Sequence, residues 1–268
     1  MTKWIFPLLL SLSTYVYGQG TKLPPFVLGL VDTLPSNALQ EKRVLNIYLP
    51  EGYSPDSAAR YPIIYLLDGS AHEDFIHVVG LVQFCNFSWV DLLPKSIVVG
   101  IANVDRRRDF TFPTTVQKDK MDYPTTGGAE KFIAFLENEL QPHIRAHYQT
   151  NGSNMLIGQS LGGLLATEIL FKKPHLFSQY LIVSPSLWWD NESLLRQKPT
   201  PSTQALKVFV AVGKEGKAMK KANKKLVGLL NAANQGRPPV RFKFMKDKNH
   251  GNILHEAVYE GFEAFSKQ

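Results

Sequence analysis

Residues Met155-Leu-Ile-Gly-Gln-Ser-Leu-Gly-Gly163 decide how this chain is read. Met155 to Ile157 is a short apolar run that predicts a buried strand. Leu164-Leu-Ala-Thr-Glu-Ile-Leu170 is a stretch of good helix formers. Between them, Gly158-Gln-Ser-Leu-Gly162 has the G-x-S-x-G spacing of a sharp strand-to-helix turn with a serine at its apex. Such a turn holds the serine in a strained backbone conformation. Glycine at 158 and 162 leaves room where a side chain would strike the neighbouring strand and helix. Ser160 is thereby expected above the sheet edge at a helix N-terminus, where free N–H groups and the helix dipole favour developing negative charge. The competing reading is a glycine-rich turn with an incidental serine; the strand before it and the helix after it favour a nucleophile.

Working outward, apolar runs alternate with helical patterns. Phe26–Leu34 and Arg43–Pro50 predict two strands joined around Pro35-Ser36-Asn37, the second an edge antiparallel strand. Tyr61–Leu67 and Ser96–Ala102 are continuously apolar, as strands buried on both faces are. Tyr180–Ser184, Lys207–Val212 and Val240–Met245 are further strands. Helices are expected at His77–Val90, Ala129–His147, Lys217–Ala233 and Ile253–Phe265, and a long polar loop at Asn103–Thr126. Strand–helix alternation of this kind predicts an α/β fold with a mostly parallel central sheet covered by helices on both faces. With 268 residues, 44% of them hydrophobic, and no repeat or linker, residues 19–268 are expected to form one domain.

Ahead of that domain, Lys3, the apolar run Trp4–Leu12 and the small-residue site near Val16-Tyr17-Gly18 have the layout of a signal peptide over residues 1–18. The run is too short for a stable membrane span, so export to the periplasm or the exterior is expected. The formal charge of +7 owes much to Lys214, Lys217, Lys220, Lys221, Lys224 and Lys225. Without interleaved aromatic residues, that cluster predicts a solvated helix face, not a nucleic-acid partner. The lone Cys85 excludes an intramolecular disulfide and is expected to be a buried core thiol.

In parallel α/β sheets, function gathers at the carboxyl ends of the strands. Those ends carry Ser70, the 103–110 loop, Ser160, Ser184–Trp189, Glu215 and His250. A serine hydroxyl needs a general base. His250 follows the last strand and precedes the last helix, the place of the histidine in the chain order Ser, acid, His. Glu215, after the Lys207–Val212 strand, is the candidate acid that would hold the imidazole tautomer, against the alternative of a surface carboxylate at a helix start. Asp247 is the reserve. His143 and His147 share a helix face but lack the glutamate of a zinc motif, and no metal or cofactor is expected. Backbone N–H groups of Leu161 and Ser70 are the candidate oxyanion donors, each contributing on the order of 100- to 1,000-fold in rate.

With these residues in hand, the chain resembles the esterase family of α/β-hydrolases that includes enterochelin (catecholate siderophore) esterases. It is more distantly similar to feruloyl esterases and mycolyltransferases. The matching segments run in order: Val44–Pro50, Tyr61–Gly69, Asp105-Arg-Arg-Arg-Asp-Phe110, Gly127–Phe135, Gly158–Leu164, Ser184-Pro-Ser-Leu-Trp-Trp189 and His250-Gly251. No separate domain is expected ahead of them. The resemblance implies Ser160 as nucleophile, His250 as base and Ser70 and Leu161 as oxyanion donors, with less support for Glu215. It places Arg106, Arg107, Arg108, Trp188 and Trp189 near the substrate pocket. For the arginines, anion or catecholate binding competes with a solvated basic loop; for the tryptophans, stacking on an acyl group competes with plugging the core. The implied activity is carboxylic-ester hydrolysis of a small molecule. Acyl transfer by the same site and a non-catalytic binding role are the alternatives, and the oligomeric state is left open.

Overall fold

The computed structural model describes residues 23–233 and 239–267. The expected signal peptide at residues 1–18 lies outside the described residues. Eight strands form one sheet: β1 (Leu30–Ser36), β2 (Glu41–Tyr48), β3 (Tyr61–Leu66), β4 (Ile97–Ile101), β5 (Thr150–Gln159), β6 (Gln179–Val183), β7 (Lys207–Gly213) and β8 (Arg241–Met245). Their order is β1-β2-β4-β3-β5-β6-β7-β8. The β1–β2 and β2–β4 pairs are antiparallel and all the others are parallel. The expected mostly parallel sheet is present.

Parallel strands bury both faces, and the sequence of β3 shows why its run is unbroken. Ile63, Tyr65 and Leu67 pack into one core and Ile64 and Leu66 into the other. The first core is closed by α4 (Ala129–Phe135), α5 (Gln141–His147), α6 (Leu161–Lys172), the short α7 (Trp189–Glu192) and α8 (Lys217–Ala233), the second by α1 (Phe75–Cys85) and α9 (Leu254–Ser266). Helices therefore cover both faces. Cys85 is fully buried in the second core, and burial pushes its thiol up to about 11, the behaviour of an inert packing residue.

Four local expectations change. The second strand, expected at the edge, is paired on both sides, by β1 and by β4, and β1 is the edge strand. The first strand begins at Leu30, not Phe26, and runs through Pro35 and Ser36; the turn falls at 37–40. Edge position permits that proline, because its missing N–H can face away from β2. The helix expected over Ala129–His147 is interrupted by a π-helical turn at Leu136–Leu140. Pro142 explains the interruption: it has no N–H to donate to the Asn138 carbonyl, and its ring would clash with that carbonyl in a continuous α-helix. Finally, the polar stretch at 103–126 contains two short helices, α2 (Arg106–Phe110) and α3 (Gln117–Asp122). Asp105 caps α2 by accepting the Arg108 N–H at 3.0 Å.

The direction of winding reverses at β3. From β3 the chain crosses to β4 on one side, then returns to place β5 on the other. Such a switch point leaves a crevice between the carboxyl ends of the two central strands. The turn after β3, at Asp68–Ser70, and the turn after β5, at Ser160, face each other there.

Candidate active site

Ser160 has φ 59° and ψ −120°, a conformation that side chains rarely adopt. Three hydrogen bonds lock it there: its N–H donates to Val183 O at 3.0 Å, and its carbonyl accepts the N–H groups of Leu164 and Ser186, both at 2.9 Å. Gly158 is obligatory for the turn, since a Cβ there would lie 2.5 Å from the Gly162 carbonyl oxygen. Leu161 opens α6, so its N–H has no intrahelical acceptor, and the Ser160 hydroxyl lies 3.3 Å from Ser186 Oγ.

His250 lies on the loop between β8 and α9, and Glu215 follows β7. Their side chains meet, with His250 Nδ1 2.6 Å from Glu215 Oε2. A carboxylate only accepts, so Nδ1 carries the proton and Nε2 is left as the basic nitrogen. Glu215 Oε1 accepts from Ser184 Oγ at 2.5 Å and from the Gly213 N–H at 3.0 Å. Burial raises the Glu215 carboxyl, but the hydrogen bonds from His250, Ser184 and Gly213 outweigh it and hold the group below its ordinary value. The glutamate side chain is 7% exposed and the imidazole 47%. The carboxylate is thus buried and ionised while the imidazole faces the cleft. Gly213 permits this closeness, because a Cβ there would fall 2.7 Å from Lys248 O and 2.9 Å from Glu215 Oε1. Gln159, next to the nucleophile, donates its side-chain amide to His250 O at 2.5 Å and ties the two loops together.

Ser160, His250, Gly251, Gln159, Asp68, Glu73, Asp74 and Arg106 line one open cleft of about 400 Å³. The structure thus brings Ser160 and His250 to one cleft, with Glu215 behind the histidine. Asp247, the reserve acid, borders a different surface hollow with Lys246 and Glu256. Ser70, in the turn after β3, is not among the residues lining the cleft, and its N–H donates to Glu73 Oε2 at 3.2 Å. His255 stacks on His77 with ring centroids 5.7 Å apart, and His143 bonds Asp32 at 2.7 Å. Among the described residues no group of three or more His, Cys, Asp or Glu side chains is arranged to hold a metal ion.

The arginines and tryptophans separate. Arg106 reaches the cleft, yet its guanidinium is taken up by Asp68, with Nε–Oδ1 2.6 Å and Nη2–Oδ2 3.0 Å, and it also donates to Gln159 O. Arg107 lies over the Tyr123 ring at 5.0 Å. Arg108 pairs with Asp109 and Glu41, both at 2.7 Å, in a buried cluster completed by Arg43. Neither of these two lines the cleft. Trp189 corrects the expectation of substrate contact: it is fully buried and donates its indole N–H to Phe112 O at 2.9 Å. Trp188 is 41% exposed against Trp189 and Tyr123. Sequence reasoning missed Ser184 as the partner of Glu215, and Asp68, Glu73 and Asp74 as cleft residues. The signal for the last three was their position just after the buried strand Tyr61–Leu67.

A serine on a strained strand–helix elbow at the switch point, with a carboxylate-supported histidine on the last loop, defines an α/β-hydrolase-fold protein. The chain belongs to an esterase family, whose model, described as "Putative esterase", matches residues 36–262. It is similar to the ferri-bacillibactin esterase BesA of Bacillus subtilis, 33% identical over 170 residues. That match covers 59% of this chain and spans 58% of the relative's length. The crystal structure of an IroE-like serine hydrolase from Shewanella oneidensis superposes with a TM-score of 0.77 and 32% identity, covering 89% of this chain and 80% of that one. The BES protein from Bacillus cereus also has a TM-score of 0.77, at 28% identity, covering 90% of this chain and 96% of that one. These comparisons place the chain in a family whose named members include ester hydrolases.

Proposed function

We propose that this protein is an exported serine carboxylesterase that works through a Ser160–His250–Glu215 triad and an acyl-enzyme. The observation that carries the reading is the 2.6 Å His250–Glu215 contact at the cleft that Ser160 lines. In this mechanism His250 Nε2 accepts the Ser160 Oγ proton as Oγ attacks the ester carbonyl carbon. The carbonyl π electrons move to oxygen, giving an oxyanion held by the Leu161 N–H at the start of α6. The imidazolium, stabilised by ionised Glu215, passes its proton to the leaving alkoxide as the carbon–oxygen bond breaks. Water then enters, gives a proton to His250 and adds to the acyl carbon; the bond from that carbon to Ser160 Oγ breaks, and the imidazolium returns its proton to Oγ, which releases the acid and restores Ser160. No helix among the described residues is long and apolar enough to cross a membrane, and the export half of the proposal rests on the sequence of residues 1–18.

The likeness to a relative named as a ferri-bacillibactin esterase supports a small-molecule ester as substrate. The test is hydrolysis of p-nitrophenyl acetate, butyrate and octanoate by wild type and Ser160→Ala side by side. Wild-type turnover that disappears in a folded Ser160→Ala protein is the expected result. Equal turnover by the variant, or no labelling of Ser160 by a fluorophosphonate, overturns the proposal.

A further inference from the structure

The charge that the cleft presents differs in sign from the rest of the molecule. The chain carries a formal +7, yet the charged side chains lining the cleft are Asp68, Glu73, Asp74 and Arg106. Arg106 and Asp68 form a two-pronged ion pair and cancel each other. Glu73 and Asp74 remain. Among the described residues neither forms a salt bridge with a lysine or arginine. Glu73 is held by neutral donors, the Asn103 side-chain amide at 2.9 Å and the Ser70 N–H at 3.2 Å. These contacts orient its charge without removing it. Asp74 occupies the N-cap position of α1, but its side chain accepts no capping hydrogen bond. Its charged-group neighbour is His77, at 3.3 Å, whose own proton is disfavoured by burial and by His255.

We propose that Glu73 and Asp74 are specificity-determining residues of this cleft: they select esters bearing a neutral or cationic group beside the scissile bond and reject anionic ones. The inference rests on the ester-hydrolase reading above and sharpens it. A substrate carboxylate or sulfonate within a few ångströms of two uncompensated carboxylates meets repulsion that a half-open cleft screens only in part. A substrate ammonium meets attraction in the same place. The arginines cannot reverse this sign, because Arg106 is committed to Asp68 and the other two lie elsewhere. Asp74 itself reports the field, since burial and then the Asp68 and Glu73 charges push it up to about 6 against the opposing effect of Arg106. Discrimination should therefore strengthen as the pH rises through that value; the groups facing Asp74 are His77, at 3.3 Å with His255 stacked behind it, and the Asp68, Glu73 and Arg106 charges.

Three p-nitrophenyl esters of similar size test the acyl side: 4-(trimethylammonio)butyrate, 5-methylhexanoate and the monoester of glutarate. Butyrylcholine, 3,3-dimethylbutyl butyrate and 3-sulfopropyl butyrate test the alcohol side. In at least one series, kcat/KM for the cationic or neutral ester should exceed that for the anionic ester by about 10- to 100-fold. The ratio should shrink severalfold as salt rises from about 0.05 to 0.5 M. In Glu73→Gln/Asp74→Asn it should fall to within about threefold. Turnover of the neutral esters with no charge preference in either series, or a preference indifferent to salt and to both substitutions, overturns this proposal and leaves the esterase reading standing. Failure to hydrolyse even the neutral esters overturns the esterase reading and this one with it.

Discussion

Glu215 Oε2 and His250 Nδ1 are 2.6 Å apart, although the residues come from separate loops at the ends of β7 and β8. A buried carboxylate in this position fixes which imidazole nitrogen is free. Replacing Glu215 by Gln keeps the shape but can present an N–H to Nδ1, so the wrong tautomer is stabilised. Ester turnover is expected to fall by about 1,000- to 10,000-fold in kcat, measured with p-nitrophenyl butyrate. A fall smaller than tenfold would show that Glu215 is not the working acid.

In the proposed triad Ser184 acts on the base through that acid. Its hydroxyl donates to Glu215 Oε1, while the Gly213 N–H supplies a second donor to the same oxygen. Ser184→Ala removes one of two supports, so kcat should drop by roughly 3- to 30-fold with KM almost unchanged. The acidic limb of the pH–rate profile should change shape as the carboxylate loses a donor. A changed KM with an unchanged kcat would count against this role.

Arg43 and Asp109 form an ion pair in which both side chains have no exposed surface. Arg43 also lies over the Phe132 ring at 5.2 Å, and Arg108 joins the pair from the cluster's rim. Asp109→Ala leaves a buried guanidinium without its principal partner, so a loss of about 3–5 kcal/mol in urea unfolding is expected. A loss below about 1 kcal/mol would mean that water or Glu41 takes over the charge.

The adjacent tryptophans should behave oppositely. Trp189 is fully buried with its N–H satisfied, and Trp189→Ala should destabilise by about 3–5 kcal/mol. Trp188→Ala, at a partly exposed position, should change stability by less than about 1 kcal/mol. Comparing the two unfolding curves in one buffer checks both statements.

Asp74 offers a pH test of stability. Its folded value, about 6, lies above the ordinary carboxylate range, so the folded protein binds this proton more tightly than the unfolded chain does. Stability from this group is therefore full at low pH and is lost as the pH rises toward 6. Asp74→Asn, which cannot ionise, should match wild type near pH 4, gain on it between about 4 and 6, and hold a constant advantage above. Melting temperatures across that range would show a flat difference if the shift were absent.

How much of this was legible in the chain depends on the range of the signal. The elbow at Gly158–Gly162 is local: glycine spacing, a strand before it and a helix after it are sequence properties, and steric exclusion at Gly158 makes them obligatory. The buried strands Tyr61–Leu67 and Ser96–Ala102 were readable for the same reason, because a strand covered on both faces must be apolar at every position. Lys217–Ala233 has an amphipathic repeat that marks it as a helix. Pro142, by contrast, left a local mark whose consequence, a widened turn in place of a break, depends on the packing of Leu136 and Leu140 in the core.

The sequence by itself determined the strand–helix alternation, the elbow serine and the chain order of Ser160, Glu215 and His250, since each is written within a few consecutive residues or in their order. Only the tertiary structure decided which charges face the cleft. Arg106 and Asp68 are distant in sequence and meet across the switch point, Arg108 turns toward Glu41 and Asp109, and Trp189 enters the core while Trp188 stays at the surface. Those choices are made by the free energy of pairing and burying side chains from separate strand ends, a quantity that no single stretch of the chain contains.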